Sequence, residues 1–213
     1  MAGIYLHIPF CKQRCIYCDF YFVTGQRLHP TFVQALCTEI EYYGQLYGRL
    51  EPIETIYFGG GTPSRLSLEE VARVLNDLYR HFDLSALQEV TFEVNPEDAS
   101  RDYLSGLHSL GINRLSIGVQ SFYEADLRFM NRAHTAEQAE AAIEDARRAG
   151  FENFNGDLIF GLPDQPLEYW MANLQKVADR DIPHVSTYSL TIEPRTVLYK
   201  QVERGLVQPA DEE

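Results

Sequence analysis

The fold is decided by one stretch near the amino terminus, Ile4-Tyr5-Leu6-His7-Ile8-Pro9-Phe10-Cys11-Lys12-Gln13-Arg14-Cys15-Ile16-Tyr17-Cys18-Asp19-Phe20. Three cysteines, Cys11, Cys15 and Cys18, follow a short β-like run at intervals of four and three residues. Thiolates are the usual protein ligands of iron–sulfur clusters, and a loop that carries several at short spacing can wrap one cluster. Because the loop supplies three thiolates and an ordinary cluster takes four, one iron would remain open to a small molecule.

Two other uses of these cysteines stay open at this point. A zinc site needs four ligands, and Cys37 or His7 could supply the fourth. A disulfide is the second alternative, although no signal peptide precedes the cysteines and close cysteines in a reducing cytosol more often bind metal. Cys37 itself falls inside a predicted helix, where a free cysteine usually serves as a small buried apolar residue.

The composition is that of an ordinary globular protein. The chain has 213 residues, of which 45% are hydrophobic and 23% charged, and this length suits one domain with a sizeable core. The net charge of −13 repels phosphate backbones, so we expect no nucleic-acid partner. No apolar run approaches the roughly 20 residues of a membrane span, and the amino terminus enters a strand at once without a targeting segment. The sequence therefore does not indicate membrane association and predicts a cytoplasmic protein.

Six strand–helix units follow one another along the chain. The strands are predicted at residues 3–9, 54–58, 90–95, 114–120, 154–160 and 185–191. Repeated alternation of this kind predicts a parallel sheet with helices outside it. A closed (β/α)8 barrel needs eight units and typically about 250 residues. Six units therefore predict an open α/β fold, a partial (β/α)6 TIM-like barrel.

Four of these strands are apolar on one face and polar on the other, since side chains alternate between the two faces of a strand. The polar sets are Tyr5 and His7; Thr91, Glu93 and Asn95; Ser116, Gly118 and Gln120; and Asn155 and Asp157. They lie toward the carboxyl ends of the strands, where barrel enzymes place their sites. The lumen is therefore predicted to hold a polar ligand, and the alternative is a set of isolated, satisfied polar groups.

A glycine-rich run, Gly59-Gly60-Gly61-Thr62-Pro63, follows the second predicted strand. Glycine lets the backbone approach a ligand closely and adopt a positive φ. A phosphate-binding P-loop is excluded because no Gly-Lys-Ser/Thr follows the run. The run alone is weak evidence, but it is consistent with a ligand at this edge of the sheet.

The cysteine run Cys11-x3-Cys15-x2-Cys18, with Tyr17 inside it and Tyr5-Leu6-His7-Ile8-Pro9-Phe10 before it, resembles the cluster loop of the radical S-adenosylmethionine (radical SAM) superfamily. It is most similar to the coproporphyrinogen dehydrogenase family, which comprises HemN and HemW. The resemblance extends from residue 4 to about residue 194. It implies a partial barrel, a [4Fe-4S] cluster on the three cysteines, S-adenosyl-L-methionine (SAM) as a second cofactor, and cleavage of SAM to a 5′-deoxyadenosyl radical by the reduced cluster.

The resemblance also implies which residues contact SAM. They are Tyr5, Gly60, Gly61, Thr62, Glu93, Gln120, Arg132, Asp157 and Thr191. Carboxylates can accept hydrogen bonds from the ribose hydroxyls and the amino group of SAM, and an arginine can pair with its carboxylate. For Arg132 the alternative is a solvated surface residue.

The family has two branches with different functions. The dehydrogenase branch decarboxylates two propionate side chains of coproporphyrinogen III, whereas the HemW branch binds heme as a chaperone. The HemW branch is favoured by Phe20, where dehydrogenases carry a further cysteine, by His134, where they have glutamine, and by a chain that begins just before its first strand. The segment Tyr188-Ser189-Leu190-Thr191-Ile192-Glu193-Pro194 is also similar to HemW. Arg195 departs from the pattern, which has a glycine there.

We therefore expect a HemW-type radical SAM protein that binds heme and transfers it to acceptor proteins. An oxygen-independent coproporphyrinogen III dehydrogenase is the alternative, a purely structural metal-binding domain is the third hypothesis, and enzymatic activity stays open. His7 and His134 are candidate axial heme ligands, neither of them assigned. The implied partners are heme or porphyrin, a low-potential electron donor such as flavodoxin or ferredoxin, and a heme-accepting protein. Residues 1–205 are expected to form the radical SAM core, and residues 206–213 an acidic tail that starts a carboxy-terminal region the chain lacks.

Overall fold

Six parallel strands form one sheet in the computed structural model, which describes residues 2–210. The strands are β1 (Ala2–Ile8), β2 (Ile53–Gly60), β3 (Glu89–Val94), β4 (Arg114–Gln120), β5 (Phe154–Phe160) and β6 (His184–Ser189). Their order in the sheet is their order in the chain. Within residues 2–210, β1 pairs only with β2 and β6 only with β5, so the sheet is open and not closed into a ring. The predicted partial (β/α)6 barrel is confirmed.

Every connection between neighbouring strands contains at least one α-helix, as parallel pairing requires. The helices are α1 (His29–Tyr47), α2 (Leu68–His81), α3 (Arg101–Ser109), α4 (Glu124–Phe129), α5 (Ala136–Arg148), α6 (Leu167–Asp179) and α7 (Val197–Glu203). Helix α2 begins with a capping box, because the Ser67 hydroxyl accepts from the Glu70 amide at 3.3 Å and the Glu70 carboxylate accepts from the Ser67 amide at 2.8 Å. In the described part of the chain, no helix is both long and apolar enough to cross a membrane.

The core lies between the apolar faces of the strands and the surrounding helices. Ile8, Phe58, Phe92 and Leu115 of four successive strands are fully buried there. Cys37 on α1 belongs to the same core, as predicted for a small apolar residue. Each large apolar side chain buried in this way contributes about 1.5–3 kcal/mol, and together they hold the strand ends at fixed positions.

Two strands differ from the prediction by two residues at their carboxyl ends. Strand β2 continues through Gly59 and Gly60, which pair with His7 and Ile8 of β1. This pairing outweighs the low strand propensity of glycine. Strand β6 ends at Ser189, so Thr191 lies in the loop that follows. The last three residues of the predicted acidic tail, 211–213, lie outside the described residues.

Candidate functional site

The cysteine loop leaves β1 and is tied to distant segments through its backbone. The Cys11 amide donates to the Val23 carbonyl at 3.0 Å, which closes the loop on itself. The Ile16 amide donates to the Met130 carbonyl at 3.1 Å, and the side-chain amide of Asn131 donates to the Arg14 carbonyl at 2.6 Å. The segment after α4 therefore sets where the loop presents its sulfurs.

All three loop cysteines line one cavity of about 670 Å³ at the carboxyl ends of the strands. Two of the sulfurs have a hydrogen-bond donor beside them: the Thr62 hydroxyl lies 3.6 Å from Cys11 Sγ, and Arg132 Nη1 lies 3.5 Å from Cys15 Sγ. Hydrogen bonds and positive charge favour the thiolate, the form that binds metal. Burial raises the pKa of the Cys11 thiol and raises that of Cys18 to about 11. A metal centre bound here would therefore have to displace thiol protons.

The shared position of these three cysteines bears on which metal centre they could hold. Within residues 2–210, no group of three or more His, Cys, Asp or Glu side chains is gathered tightly enough to bind a single ion. A zinc ion holds its sulfurs at about 2.3 Å and so brings them into mutual contact. An iron–sulfur cube binds each thiolate at a different corner and keeps the sulfurs apart. Three cysteines on one cavity wall could each bind a different iron of such a cube. No disulfide joins the cysteines.

Arg132 is the best-connected cation of the cavity. Besides Cys15, it donates from Nη2 to Asn95 Oδ1 at 2.7 Å and to the Gly118 carbonyl at 3.2 Å. Its Nε is buried and has no partner in the described part of the chain. Burial lowers the pKa of Arg132, but the neighbouring Tyr17 and Cys15 outweigh burial and raise it, so the guanidinium is charged. The alternative of a solvated surface residue is wrong for Arg132.

Gly118 leaves room for this guanidinium because it has no side chain. A Cβ atom at position 118 would lie 3.3 Å from Arg132 Nη2, 3.1 Å from Asn95 Oδ1 and 3.0 Å from Gln120 Nε2. Each of these distances is tighter than an ordinary contact, so a side chain here would displace the polar groups around it. The predicted polar face of β4 thus has no side chain at its centre, and Arg132 from another segment fills the space.

Two carboxylates face the same cavity from β3 and β5. Glu93 accepts a hydrogen bond from the Tyr57 hydroxyl at 2.8 Å. Asp157 accepts from the Ser116 hydroxyl at 2.8 Å and from the Asn155 side-chain amide at 2.6 Å. Burial raises the pKa of both carboxyl groups, and the charge of Asp157 raises that of Glu93 further. Hydrogen bonds from neighbouring strands thus fix both carboxylates at the lining of the cavity.

The glycine-rich run forms the wall beside Cys11. Gly60 has a φ of +115°, which suits glycine alone, and its Cβ would lie 2.7 Å from His7 Nδ1. A Cβ at Gly61 would lie 3.1 Å from Cys11 Sγ. Thr62 accepts from the Asn95 side-chain amide at 3.1 Å while its hydroxyl points to Cys11. The run therefore lets the backbone pass close to the cysteine loop and places one hydroxyl on a sulfur.

Most of the residues predicted to bind SAM come together in this cavity. Its lining includes Gly60, Gly61, Thr62, Glu93, Gln120, Arg132, Asp157 and Thr191, together with the three loop cysteines. Gln120 ends β4 with a φ of +62°, at the point where the register between β4 and β5 shifts. Asn95 and Glu97 also line the cavity. Neither was assigned from the sequence, although the position of Asn95 on the polar face of its strand was a usable signal.

Tyr5 is the exception, because it does not line this cavity. Its side chain is 58% exposed, and its ring stacks on Tyr57 with 5.9 Å between ring centroids. Tyr57 in turn donates to Glu93. The open sheet leaves β1 at an edge, so Tyr5 lies at the margin of the lumen and packs against Tyr57, which holds Glu93.

The two candidate heme-ligating histidines have structural partners. His134 is buried, with Nε2 donating to the Val119 carbonyl at 3.0 Å and Nδ1 lying 3.4 Å from Glu97 Oε2. His7 lies with Nδ1 3.2 Å from the Tyr5 hydroxyl and Nε2 3.2 Å from the Tyr21 carbonyl oxygen. Both ring nitrogens of each histidine therefore already face a polar atom of the protein.

An open, six-stranded α/β barrel with three loop cysteines and a polar cavity at the strand ends defines a cluster-binding protein. The family model described as "Radical SAM superfamily" matches residues 5–189. The chain therefore belongs to the radical SAM superfamily, whose cofactors are a [4Fe-4S] cluster and SAM.

Individual relatives narrow this further. The chain is 38% identical to the heme chaperone HemW of Lactococcus lactis over 98% of its own length and 54% of that protein. It is 39% identical to the heme chaperone HemW of Escherichia coli over 92% of its own length and 52% of that protein. Among solved structures, coproporphyrinogen III oxidase (HemN) of Escherichia coli superposes with a TM-score of 0.85 at 31% identity, covering 95% of this chain and 47% of HemN. The chain thus spans about half the length of the curated relatives it matches.

Proposed function

We propose that this chain is the radical SAM part of a HemW-type heme chaperone, which binds heme and transfers it to an acceptor protein. The observation that carries the proposal is the arrangement of three loop cysteines, a partly buried arginine and two strand carboxylates around one cavity. The heme function comes from the relatives named heme chaperone HemW, at 38–39% identity. Those relatives are about twice as long, so the activity belongs to the whole protein.

In this proposal Cys11, Cys15 and Cys18 would hold the [4Fe-4S] cluster, which when bound would supply the electron for cleavage of SAM. Arg132 is placed to pair with the carboxylate of SAM, because its Nε has no hydrogen-bond partner within residues 2–210 and its charge lies beside Cys15. Glu93 and Asp157 are placed to accept hydrogen bonds from the ribose hydroxyls or the amino group. Gly60, Gly61 and Thr62 form the backbone wall, while Gln120 and Thr191 complete the polar rim. Tyr5 contributes by supporting Tyr57.

Oxygen-independent coproporphyrinogen III dehydrogenase is the second candidate function. The observation in its favour is the superposition on HemN. Against it stands Phe20, where the resemblance places a further cysteine in the dehydrogenases, and Phe20 is 69% exposed beside the cysteine loop. The lower identity to HemN than to the HemW relatives, 31% against 38–39%, points the same way.

One pair of assays separates the two candidates. The anaerobically reconstituted chain, and a version extended to the length of its relatives, are incubated with coproporphyrinogen III, SAM and a low-potential reductant. We expect no protoporphyrinogen from either, and we expect stoichiometric binding of ferric heme in an absorbance titration. Formation of protoporphyrinogen would contradict the chaperone proposal. Absence of heme binding by the extended chain would contradict it independently.

The proposal also covers the organisation and surroundings of the protein. Residues 1–205 are assigned to the radical SAM core and residues 206–213 to the start of a further region. A low-potential donor such as flavodoxin or ferredoxin would reduce the cluster, and a heme-accepting protein would take the cargo. A cytoplasmic location stays the prediction from the sequence.

A further inference from the structure

A second groove lies on the outer side of the cysteine loop. It occupies about 1130 Å³ between the segment that follows Cys18 and the turn that precedes α7. Three consecutive aromatic residues, Phe20, Tyr21 and Phe22, line it together with three arginines, Arg14, Arg27 and Arg195. Neither the cluster nor SAM, as placed above, uses this combination.

The charge of this groove is opposite to that of the chain. The whole protein carries a net charge of −13, yet the charged residues that line the groove are the three arginines and Asp19. Within residues 2–210, none of the three arginines forms an ion pair with a carboxylate. A cluster of cations on an acidic protein concentrates the local potential and attracts an anion. The groove therefore favours a ligand with more than one negative charge.

The arginines belong to one connected surface. Arg14 Nη2 donates to the Arg195 carbonyl at 3.3 Å, which links the cysteine loop to the turn before α7. The Arg14 guanidinium lies over the Phe22 ring, with 5.8 Å from Cζ to the centroid. Arg195 has a φ of +75°, a conformation that favours glycine. The turn thus carries an arginine at a position where the backbone conformation favours glycine.

Besides its arginines, the groove has a flat, apolar surface that is formed by aromatic rings. The side chains of Phe20 and Tyr21 are 69% and 72% exposed, which leaves their rings free to stack. Aromatic faces bind flat conjugated molecules, and arginine binds carboxylates with two parallel hydrogen bonds. A flat, conjugated ligand with two carboxylates meets both requirements at once.

We propose that this groove binds the heme of the proposed chaperone, with the macrocycle on Phe20 and Tyr21 and its two propionates on the arginines. The inference rests on the proposed function and assigns a surface to its cargo. Cys18, Asp19, Phe20 and Phe22 line both this groove and the SAM cavity. The edge of the macrocycle would therefore lie beside the cluster loop, and the heme and SAM sites would be adjacent and share this segment as a common wall.

The test compares two ligands and matched variants of the 213-residue chain. Ferric protoporphyrin IX and its dimethyl ester, which lacks the negative charges, are titrated against the wild type and the double variant Arg27→Gln, Arg195→Gln. The matched control is Arg80→Gln, Arg148→Gln, in which two exposed arginines at the carboxyl ends of α2 and α5 lose the same charge. A third variant, Phe20→Ala with Tyr21→Ala, removes the stacking surface. Iron content and the urea midpoint establish that every variant is folded and loaded.

We expect the groove double variant to bind ferric protoporphyrin IX at least about tenfold more weakly, because each charge-assisted hydrogen bond that is lost is worth about tenfold or more in affinity. Binding of the ester should not change, and the control should match the wild type. The aromatic variant should bind both ligands more weakly.

Three results would overturn the inference, and they differ from one another. Wild-type affinity in the double variant would remove the groove as the heme site and leave the chaperone proposal intact. Unchanged heme affinity together with slower cluster reduction by an acidic flavodoxin would assign the groove to the electron donor. No heme binding by the wild-type chain would overturn this assignment directly, and the extended chain of the preceding section then decides the chaperone proposal separately.

Discussion

Arg132 places its guanidinium 3.5 Å from the sulfur of Cys15, across 117 residues of sequence. Asn95 holds the same guanidinium from β3, and Gly118 leaves the space that it fills. The cation therefore serves the cysteine loop and the SAM cavity together, which makes it the most informative residue to change.

Replacing Arg132 with glutamine should weaken SAM binding by about tenfold or more, because the charge that would meet the SAM carboxylate is lost. Equilibrium dialysis with SAM on the reconstituted chain measures this. Arg128→Gln is the matched control, since Arg128 lies four residues earlier with its side chain 76% exposed. Equal SAM affinity in the Arg132 variant would remove this residue from the proposed site.

Replacing Cys15 with alanine should abolish cluster assembly, because two thiolates cannot hold the cube. Wild-type chain reconstituted without oxygen should contain about four irons and four sulfides, and the variant less than about one iron. Cys37→Ala, which changes a buried cysteine on α1, should keep the full complement. A Cys15 variant that retains the cluster would refute the ligand assignment, and zinc in place of iron in the wild type would revive the alternative metal.

Replacing Glu93 with glutamine should stabilise the chain at neutral pH while it weakens SAM binding. Burial raises the pKa of Glu93 above its ordinary value of 4.5, so the folded chain holds the proton more tightly than the unfolded chain. The wild type thus has the benefit of a neutral carboxyl below about pH 4.5 and loses it as the pH rises through the folded-state pKa.

The gain in unfolding free energy for Glu93→Gln should therefore be on the order of 1 kcal/mol near pH 7 and close to zero near pH 4. Urea unfolding of both chains at the two pH values measures it. A variant that is less stable than wild type at neutral pH would mean that Glu93 stabilises the fold. The assignment of Glu93 to ligand binding would then lose its support.

Replacing Gly60 with alanine should destabilise the chain more than replacing Gly111. Both glycines have positive φ, +115° and +90°, so both variants carry backbone strain of about 1–3 kcal/mol. Only at Gly60 does the new methyl group also meet an atom, His7 Nδ1 at 2.7 Å, whereas Gly111 has nothing within 4 Å. Urea unfolding gives both values, and equal losses would show that the contact with His7 relaxes freely.

Replacing His134 with alanine should lower stability by about 1–3 kcal/mol without changing the heme spectrum. The histidine is buried and donates to the Val119 carbonyl, so its removal loses this hydrogen bond and leaves a cavity at a buried position. An absorbance spectrum of the heme-loaded variant and a urea titration give the two readings. A shifted heme spectrum with unchanged stability would restore His134 as an axial ligand.

The polar lining of the lumen could be predicted from the sequence because it depends on two short-range rules. Side chains alternate along a strand, and parallel strands end at the same edge of a sheet. These rules bring Glu93, Gln120 and Asp157 around one cavity without any knowledge of distances. The same reasoning placed Tyr5 with them, but it does not account for the open edge that leaves this ring at the margin.

Other features depend on loop geometry, which short-range rules do not describe. The contact between Arg132 and Cys15 forms between two loops that are far apart in the sequence. The groove lined by Arg14, Arg27 and Arg195 also forms between distant segments. No spacing pattern marks residues that meet only after the sheet has formed. Strand β2 runs on through Gly59 and Gly60 because its partner strand supplies hydrogen bonds, which again is a tertiary effect.

The linear strand order described above gives this sheet a freedom that a sealed ring does not have. Successive strands twist against one another, and because β1 and β6 do not pair within residues 2–210, small changes in twist add up along the series. The gap between β1 and β6 could then widen while every inter-strand hydrogen bond is kept. A large ligand could enter the lumen through this gap, and the opening would require only elastic deformation of the sheet.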